Sequence, residues 1–237
     1  AETCRKNNIY ILSDEIYGQL HHEGKHVSIA KYYPEGTIIS SGLSKWCGAG
    51  GWRLGTFSFP AKLHWLMDAM AAVASETYTS VSAPIQYAAI QAFLCGSEIE
   101  NYLSHVRKIL ALLGKETAAI LKNGNISVND PTGGFYLFLD FTPLSEKLVK
   151  RGIADGSILC DRLLDECGVA ILPGVDFNRP AEELSARLSY VDFDGAKALS
   201  ASYSIPLHEK FPADFLFQYC GNVIEKKKKI VEWGNAE

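Results

Sequence analysis

The first 60 residues alternate short apolar runs with polar loops. Ile9-Tyr10-Ile11-Leu12 is almost wholly apolar and ends at Ser13-Asp14; Thr37-Ile38-Ile39 and Leu54-Gly55-Thr56-Phe57 repeat the pattern. Runs this short predict strands, and strands apolar on both sides predict a sheet covered by helices on both faces. Pro60 then interrupts the pattern, and residues 62–74 predict a helix. A second helix opens at Ser82-Ala83-Pro84, with Ser82 as N-cap and the proline tolerated in the first turn. Between residues 98 and 122, Ile99, Tyr102, Leu103, Val106, Ile109, Leu110 and Leu113 recur at helical spacing, which predicts one long amphipathic helix.

Gly124 ends that helix and the texture changes. Residues 126–128, 134–141, 169–172 and 186–191 predict strands; residues 155–167, 195–202 and 215–233 predict helices. Strands interleaved with helices around a fresh apolar set predict a smaller α+β domain. The chain is therefore expected to divide within the long helix, into residues 1–112 and 113–237. The fold class is α/β, a mixed or parallel sheet layered with helices, followed by the smaller domain. The basic run Lys226 to Lys229 is predicted to be a solvated face of the last helix.

Composition narrows the class without naming a function. The chain has 237 residues, 47% hydrophobic and 21% charged, which excludes a disordered chain, a collagen-like repeat and a disulfide-stapled miniprotein. A net charge of −4 is not that of a nucleic-acid binder, so no nucleic-acid partner is expected. No apolar stretch approaches the ~20 residues of a membrane span, so no membrane partner is expected either. Six cysteines make no C-x-x-C pair and predict reduced, mostly buried thiols of an intracellular protein. His21, His22, Glu23 and His26 share a polar loop without metal-ligand spacing, and no metal is expected there.

The densest chemical signal is the segment from Ser41 to Gly55, SGLSKWCGAGGWRLG. Lys45 follows a buried strand in a loop of small residues, and Arg53 follows eight positions later between glycines. Small residues let a ligand approach the backbone, and apolar walls disfavour an ammonium, freeing an amine to attack a carbonyl. An arginine in such a loop suits a phosphate gripped with two prongs. A second signal is Ser13-Asp14-Glu15-Ile16-Tyr17-Gly18: Asp14 ends the first strand, where open α/β sheets place ligand groups, and Tyr17 lies three residues on. Taken singly, each is ordinarily a surface lysine, a turn arginine or a helix-capping acid.

Together these residues resemble the class-I pyridoxal-phosphate-dependent aminotransferases, with an aspartate-aminotransferase-like fold. Gly42 through Gly55 fits the family's lysine attachment pattern, and Asp14-x-x-Tyr17 falls where the family has its Asp and Tyr. Pro131-Thr132-Gly133-Gly134-Phe135-Tyr136 and Ala186-Arg187-Leu188-Ser189-Tyr190 resemble its two C-terminal landmarks, in order. The resemblance runs from Ile9 to Leu199. It implies pyridoxal 5'-phosphate as cofactor, with Lys45 catalytic: it forms the internal aldimine and later moves the substrate proton. It further implies that Asp14 holds the pyridinium nitrogen, Tyr17 the phenolic oxygen and Arg53 the phosphate, and that Arg187 receives the substrate α-carboxylate. Amino acid and 2-oxo acid are the implied substrates, a homodimer the implied assembly and the cytoplasm the implied location.

The sequence also departs from the family. Gly42 stands three positions before the lysine, where relatives often carry a phosphate-binding serine; Ser44 or Ser41 is the alternative hydroxyl. The family's upstream glycine turn, ring-stacking aromatic and Asn-Pro segment do not occur before Asp14. The chain is therefore expected to be the C-terminal half or somewhat more of the fold, residues 1–112 being an incomplete cofactor-binding domain. The competing expectations are another pyridoxal-phosphate reaction on the same residues, or an inactive fragment or interaction domain. Thr77-Tyr78-Thr79-Ser80 lies where relatives approach the phosphate across the dimer, with a simple helix cap as the equal alternative, and residues 168–177 match a segment that in relatives lies near the substrate entrance.

Overall fold

The computed structural model describes residues 1–236. Two compact units divide the chain between Ser104 and His105. In the first, a short helix α1 (Glu2–Lys6) precedes strand β1 (Ile11–Asp14), β2 (Thr37–Gly42) and β3 (Gly55–Ser58), followed by helices α2 (His64–Thr77) and α3 (Ala83–Phe93). The sheet order is β1-β2-β3: β1 runs parallel to β2, with Asp14 opposite Ser40, and β3 runs antiparallel, with Gly55 opposite Gly42. All three predicted strands are present, in a mixed sheet.

The expectation of a sheet covered on both faces does not hold along β1. Successive side chains point to opposite faces, and Leu12 and Asp14 lie on the exposed side while Ile11 and Ser13 are half-buried. Ile9, Tyr10 and Leu12 are all exposed, with the Lys62 ammonium 5.1 Å from the centre of the Tyr10 ring. Helix α2 likewise buries no residue and presents Trp65, Met67, Met70 and Val73 to solvent. Ser82 occupies the N-cap of α3 as predicted, but its side chain makes no capping hydrogen bond. The proline falls in the first turn, where a missing N–H costs nothing.

Helix α4 (Ser97–Asn123) is the predicted long helix, and the division between the units falls within it. The second unit continues with β4 (Ser127–Val128), β5 (Tyr136–Asp140), α5 (Ser145–Lys150), α6 (Gly156–Cys167), β6 (Leu172–Pro173), β7 (Ser185–Ser189), α7 (Gly195–Tyr203) and α8 (Phe215–Asn235). Its antiparallel sheet has the order β4-β5-β7-β6. Alternation along β5 and β7 sends Leu137, Leu139, Ala186 and Leu188 into the core and leaves Tyr136, Phe138 and Arg187 on the other face. Each buried leucine contributes roughly 1.5–3 kcal/mol.

Aspartate side chains cap helices α6 and α7. Asp155 accepts from the Ser157 and Ile158 N–H groups at 2.9 Å, and Asp194 from Lys197 N at 3.1 Å. Helix α6 stops at Gly168, which takes the left-handed conformation at φ +62°. Helix α5 was not predicted: six residues with three charges carry too little periodicity to show. The basic run is also not wholly solvated. Lys227 is 5% exposed, on the same stripe of α8 as Val223 and Ile230, because residues four and three apart share a helix face. No helix among the described residues is long and apolar enough to cross a membrane.

Candidate active site

The residues at the end of the first unit's sheet converge because of strand direction. β1 and β2 are parallel, so Asp14 and Gly42 lie at the same, C-terminal end. Leu43 N donates to Leu54 O at 3.2 Å, which closes the loop and carries Lys45 and Arg53 out from that end. Lys45 sits in a turn closed by Gly48 N donating to Lys45 O at 3.1 Å and anchored by buried Leu43 and Trp46. Its Nζ lies 5.9 Å from the centre of the Tyr17 ring, so two sequence-predicted residues separated by 28 positions are brought together. Lys45 is half-buried, and among the described residues no carboxylate pairs with its ammonium.

Asp14 ends β1 and accepts a hydrogen bond from Ile16 N at 3.2 Å. That contact turns the chain out of the strand and toward Tyr17. Ser44 is half-buried beside Lys45. Arg53 adopts φ +56° and donates from Nη1 to Gly50 O at 2.8 Å. A left-handed conformation costs a residue with a Cβ roughly 1–2 kcal/mol, and such strain tends to persist at functional sites. Trp46 is buried, its ring edge-on to Phe93 at 5.8 Å, whereas Trp52 is exposed: the first packs, and the second does not.

A residue that sequence reasoning missed is Glu15. Its largely buried carboxylate accepts from Ser28 Oγ at 2.6 Å and Ser13 Oγ at 3.1 Å and meets His26 Nε2 at 2.9 Å. Burial pushes the Glu15 carboxyl up, but the hydrogen bonds from His26, Ser28 and Ser13 outweigh it and hold the group below the usual carboxylate range. This hub ties the loop through His26 to the turn carrying Asp14 and Tyr17. At Gly18 a Cβ would lie 2.7 Å from the His26 ring, so a larger residue there would have to displace that side chain. Only the spacing of Ser13, Glu15, His26 and Ser28 hints at it, and sequence alone does not reveal that pairing.

The structure also explains Gly42. A Cβ at this position would fall 2.6 Å from Leu54 O and 3.1 Å from Gly55 Cα, both backbone atoms. A serine here is expected to lower the unfolding free energy by roughly 1–3 kcal/mol, as overpacking does, and to leave phosphate affinity no tighter. Thermal denaturation of Gly42→Ser and its affinity for inorganic phosphate check this. A variant as stable as the parent that binds phosphate more tightly would refute it.

Arg187 belongs to the second unit. Its guanidinium carbon lies 4.5 Å from the Tyr136 ring centre and 4.2 Å from that of Phe177. Among the described residues no carboxylate pairs with it. The two predicted landmarks of this unit are adjacent, since β5 pairs with β7, Tyr190 N donates to Phe135 O and Tyr190 Oη donates to Gly134 O at 3.0 Å. A separate apolar groove of about 750 Å³ lies between β3, α2 and α3, lined in part by Tyr78, Thr79 and Ser80 and by none of Asp14, Tyr17, Ser44, Lys45, Arg53 and Arg187.

The family model for aminotransferase class I and II matches residues 1–197. An aspartate/prephenate aminotransferase of Thermus thermophilus is 32% identical over 195 residues, which is 80% of this chain and 46% of that protein. The aspartate aminotransferase of Bacillus subtilis is 34% identical over 195 residues, 80% of this chain and 47% of that protein. Among solved structures, aspartate aminotransferase from Thermus thermophilus with maleate superposes with a TM-score of 0.71 at 25% identity, over 97% of this chain and 50% of that one. An aromatic aminotransferase from Pyrococcus horikoshii shares the fold, with a TM-score of 0.72 at 22% identity over 98% of this chain and 53% of that one. The chain thus spans about half the length of the curated relatives it matches. With the strand order, the lysine loop and the paired landmarks in place across the matched residues, the chain belongs to the class I and II aminotransferase family.

Proposed function

We propose that the protein transfers an amino group from an amino acid to a 2-oxo acid with pyridoxal 5'-phosphate as cofactor. The observation that carries this reading is the half-buried Lys45 amine over the Tyr17 ring, with no carboxylate partner among the described residues, at the sheet end where Asp14 closes β1. The donor set fits the cofactor group by group. The amine suits an aldehyde, the phenol a phenolic oxygen, the carboxylate a ring nitrogen, and the guanidinium in a glycine loop a phosphate, with the Ser44 hydroxyl as a further donor.

Each side chain then has a distinct task. Asp14 would accept a hydrogen bond from the ring nitrogen and keep it protonated. Tyr17 would donate to the phenolic oxygen, and Arg53, which here donates to Gly50 O, would hold the phosphate. Lys45 would hold the cofactor until an amino acid replaces it, and its freed amine would then carry the proton from the substrate Cα to the cofactor carbon that bore the aldehyde. Arg187 receives the α-carboxylate as a two-pronged pair. When bound, the cofactor supplies the electron sink that stabilises negative charge at Cα. Residues 1–112 serve as the cofactor-binding part and 113–237 as the small domain, in a cytoplasmic homodimer.

The names of the relatives make aspartate the first donor to test. Nitrogen-15-labelled aspartate, 2-oxoglutarate and pyridoxal phosphate are expected to yield labelled glutamate. Absence of label from aspartate, aromatic, alanine and branched donors alike would overturn the reading.

A further inference from the structure

We propose that Phe177 is a positioning residue for substrate: it holds the Arg187 guanidinium in a fixed plane and so sets carboxylate affinity. The proposal rests on the reading above, in which Arg187 receives a carboxylate.

The sheet by itself does not fix Arg187. Its place in β7, opposite Phe138 and Leu172, puts it on the outer face, where a long side chain has several staggered torsions to choose among. A bidentate grip on a carboxylate needs one orientation of the planar fork, and every other rotamer must be given up on binding. Acidic neighbours often settle an arginine, but none pairs with this one among the described residues. What holds it are aromatic rings. Tyr136 comes from the adjacent strand, whereas Phe177 comes from outside the sheet and lies closer, at 4.2 Å against 4.5 Å. Rings contacting the guanidinium carbon leave the N–H edge available for an anion.

Phe177 is itself held in place. It ends the 3₁₀ turn Gly174–Phe177, which Asn178 closes at φ +61°. Its ring meets Phe138 edge-on at 6.0 Å and 87°. Just beyond the turn, Arg179 forms a two-pronged pair with Glu183 at 2.6 and 2.9 Å, and Ser185 Oγ donates to Glu183 at 3.2 Å. At the turn's start a Cβ on Gly174 would lie 2.1 Å from Ser185 Oγ, so the turn sits flush against the beginning of β7. The loop and the strand bearing Arg187 are thus tied together, and the ring is delivered to the guanidinium by contacts that do not involve it.

The test uses the full chain, labelled with nitrogen-15, and succinate as the probe. The Arg187 Nε–H signal, assigned by its loss in Arg187→Lys, is followed as succinate is added. Phe177→Leu is expected to weaken succinate binding roughly threefold to thirtyfold, the range for a partly desolvated cation–ring contact. It is also expected to speed rotation of the Arg187 guanidinium, which a merely structural role would not change. Phe177→Tyr, which keeps the ring, is expected to restore both. Phe177→Met is the milder variant if leucine unfolds the turn. Succinate affinity unchanged in Phe177→Leu and Phe177→Met, but lost in Arg187→Lys, overturns the role of Phe177 and leaves Arg187 as the carboxylate site. Affinity unchanged in Arg187→Lys, or no binding by the parent chain, overturns the carboxylate reading and the proposal with it.

Discussion

Replacing Lys45 with alanine is expected to abolish the visible absorption band that pyridoxal phosphate gains on joining the protein, and to slow amino transfer by about two to four orders of magnitude. The large effect follows from the loss of two tasks at once, since the same amine would hold the cofactor and carry the substrate proton. The neighbours are expected to stay in place. Leu43 and Trp46 anchor the turn by burial, and the Tyr17 ring contact is long, so the alanine variant should fold as the parent does. Lys45→Arg separates charge from nucleophilicity, retaining a cation over the ring without an amine that attacks an aldehyde; it too should lack the band. Spectrophotometric titration decides the matter, and an unchanged band in the alanine variant would remove Lys45 from the chemistry.

The second large effect concerns stability. Lys227→Met is expected to raise the unfolding free energy at pH 7 by on the order of 2–3 kcal/mol. Burial pushes the Lys227 ammonium down to about 8, with Asp192 opposing that shift and Lys226 reinforcing it. The folded group gives up its proton more readily than the unfolded one, whose ordinary value is 10.5. Between about pH 8 and 10.5 the unfolded chain therefore binds more protons, and stability rises with pH across that window. Below it the full penalty is present. The methionine variant, which keeps the apolar stem and removes the charge, should lack this rise. Its advantage over the parent should be greatest at and below pH 8 and gone by pH 10.5. Urea unfolding at several pH values checks both statements; equal stability at pH 7 would show that the ammonium is solvated.

Lys227 also shows where the sequence was legible and where it was not. Four consecutive lysines read as a solvated run when charge alone is weighed. The spacing of Val223, Lys227 and Ile230 carried the opposite message, and the packing of α8 follows the spacing. Helix α4 was legible for the same reason, since 27 residues give periodicity enough turns to declare itself. The strands of the first unit were visible as apolar runs, but their burial was not, because exposure depends on what lies against them. At the site, Asp14, Lys45 and Arg53 were marked by residue type and position relative to strand ends. The Glu15 hub and the Phe177 contact were not, because each joins residues ten or more positions apart through geometry that only the folded loops define. Gly42 was seen as a departure from pattern; its cause, the Leu54 carbonyl, lies across the strand pair.

Helix α2 carries a last consequence. A 14-residue helix with no buried side chain gains little from packing, and helices that short are marginal in water by themselves. Its four alanines, at 69, 71, 72 and 74, supply propensity in place of a core. Opening it locally exposes almost nothing that was not already exposed. Its amide protons should therefore trade with deuterium through small, inexpensive fluctuations, whereas those around Leu113 and Leu121 of α4 wait for cooperative unfolding of the second unit. The protein is then soft along one helix and firm along another, and exchange rates would map that contrast residue by residue.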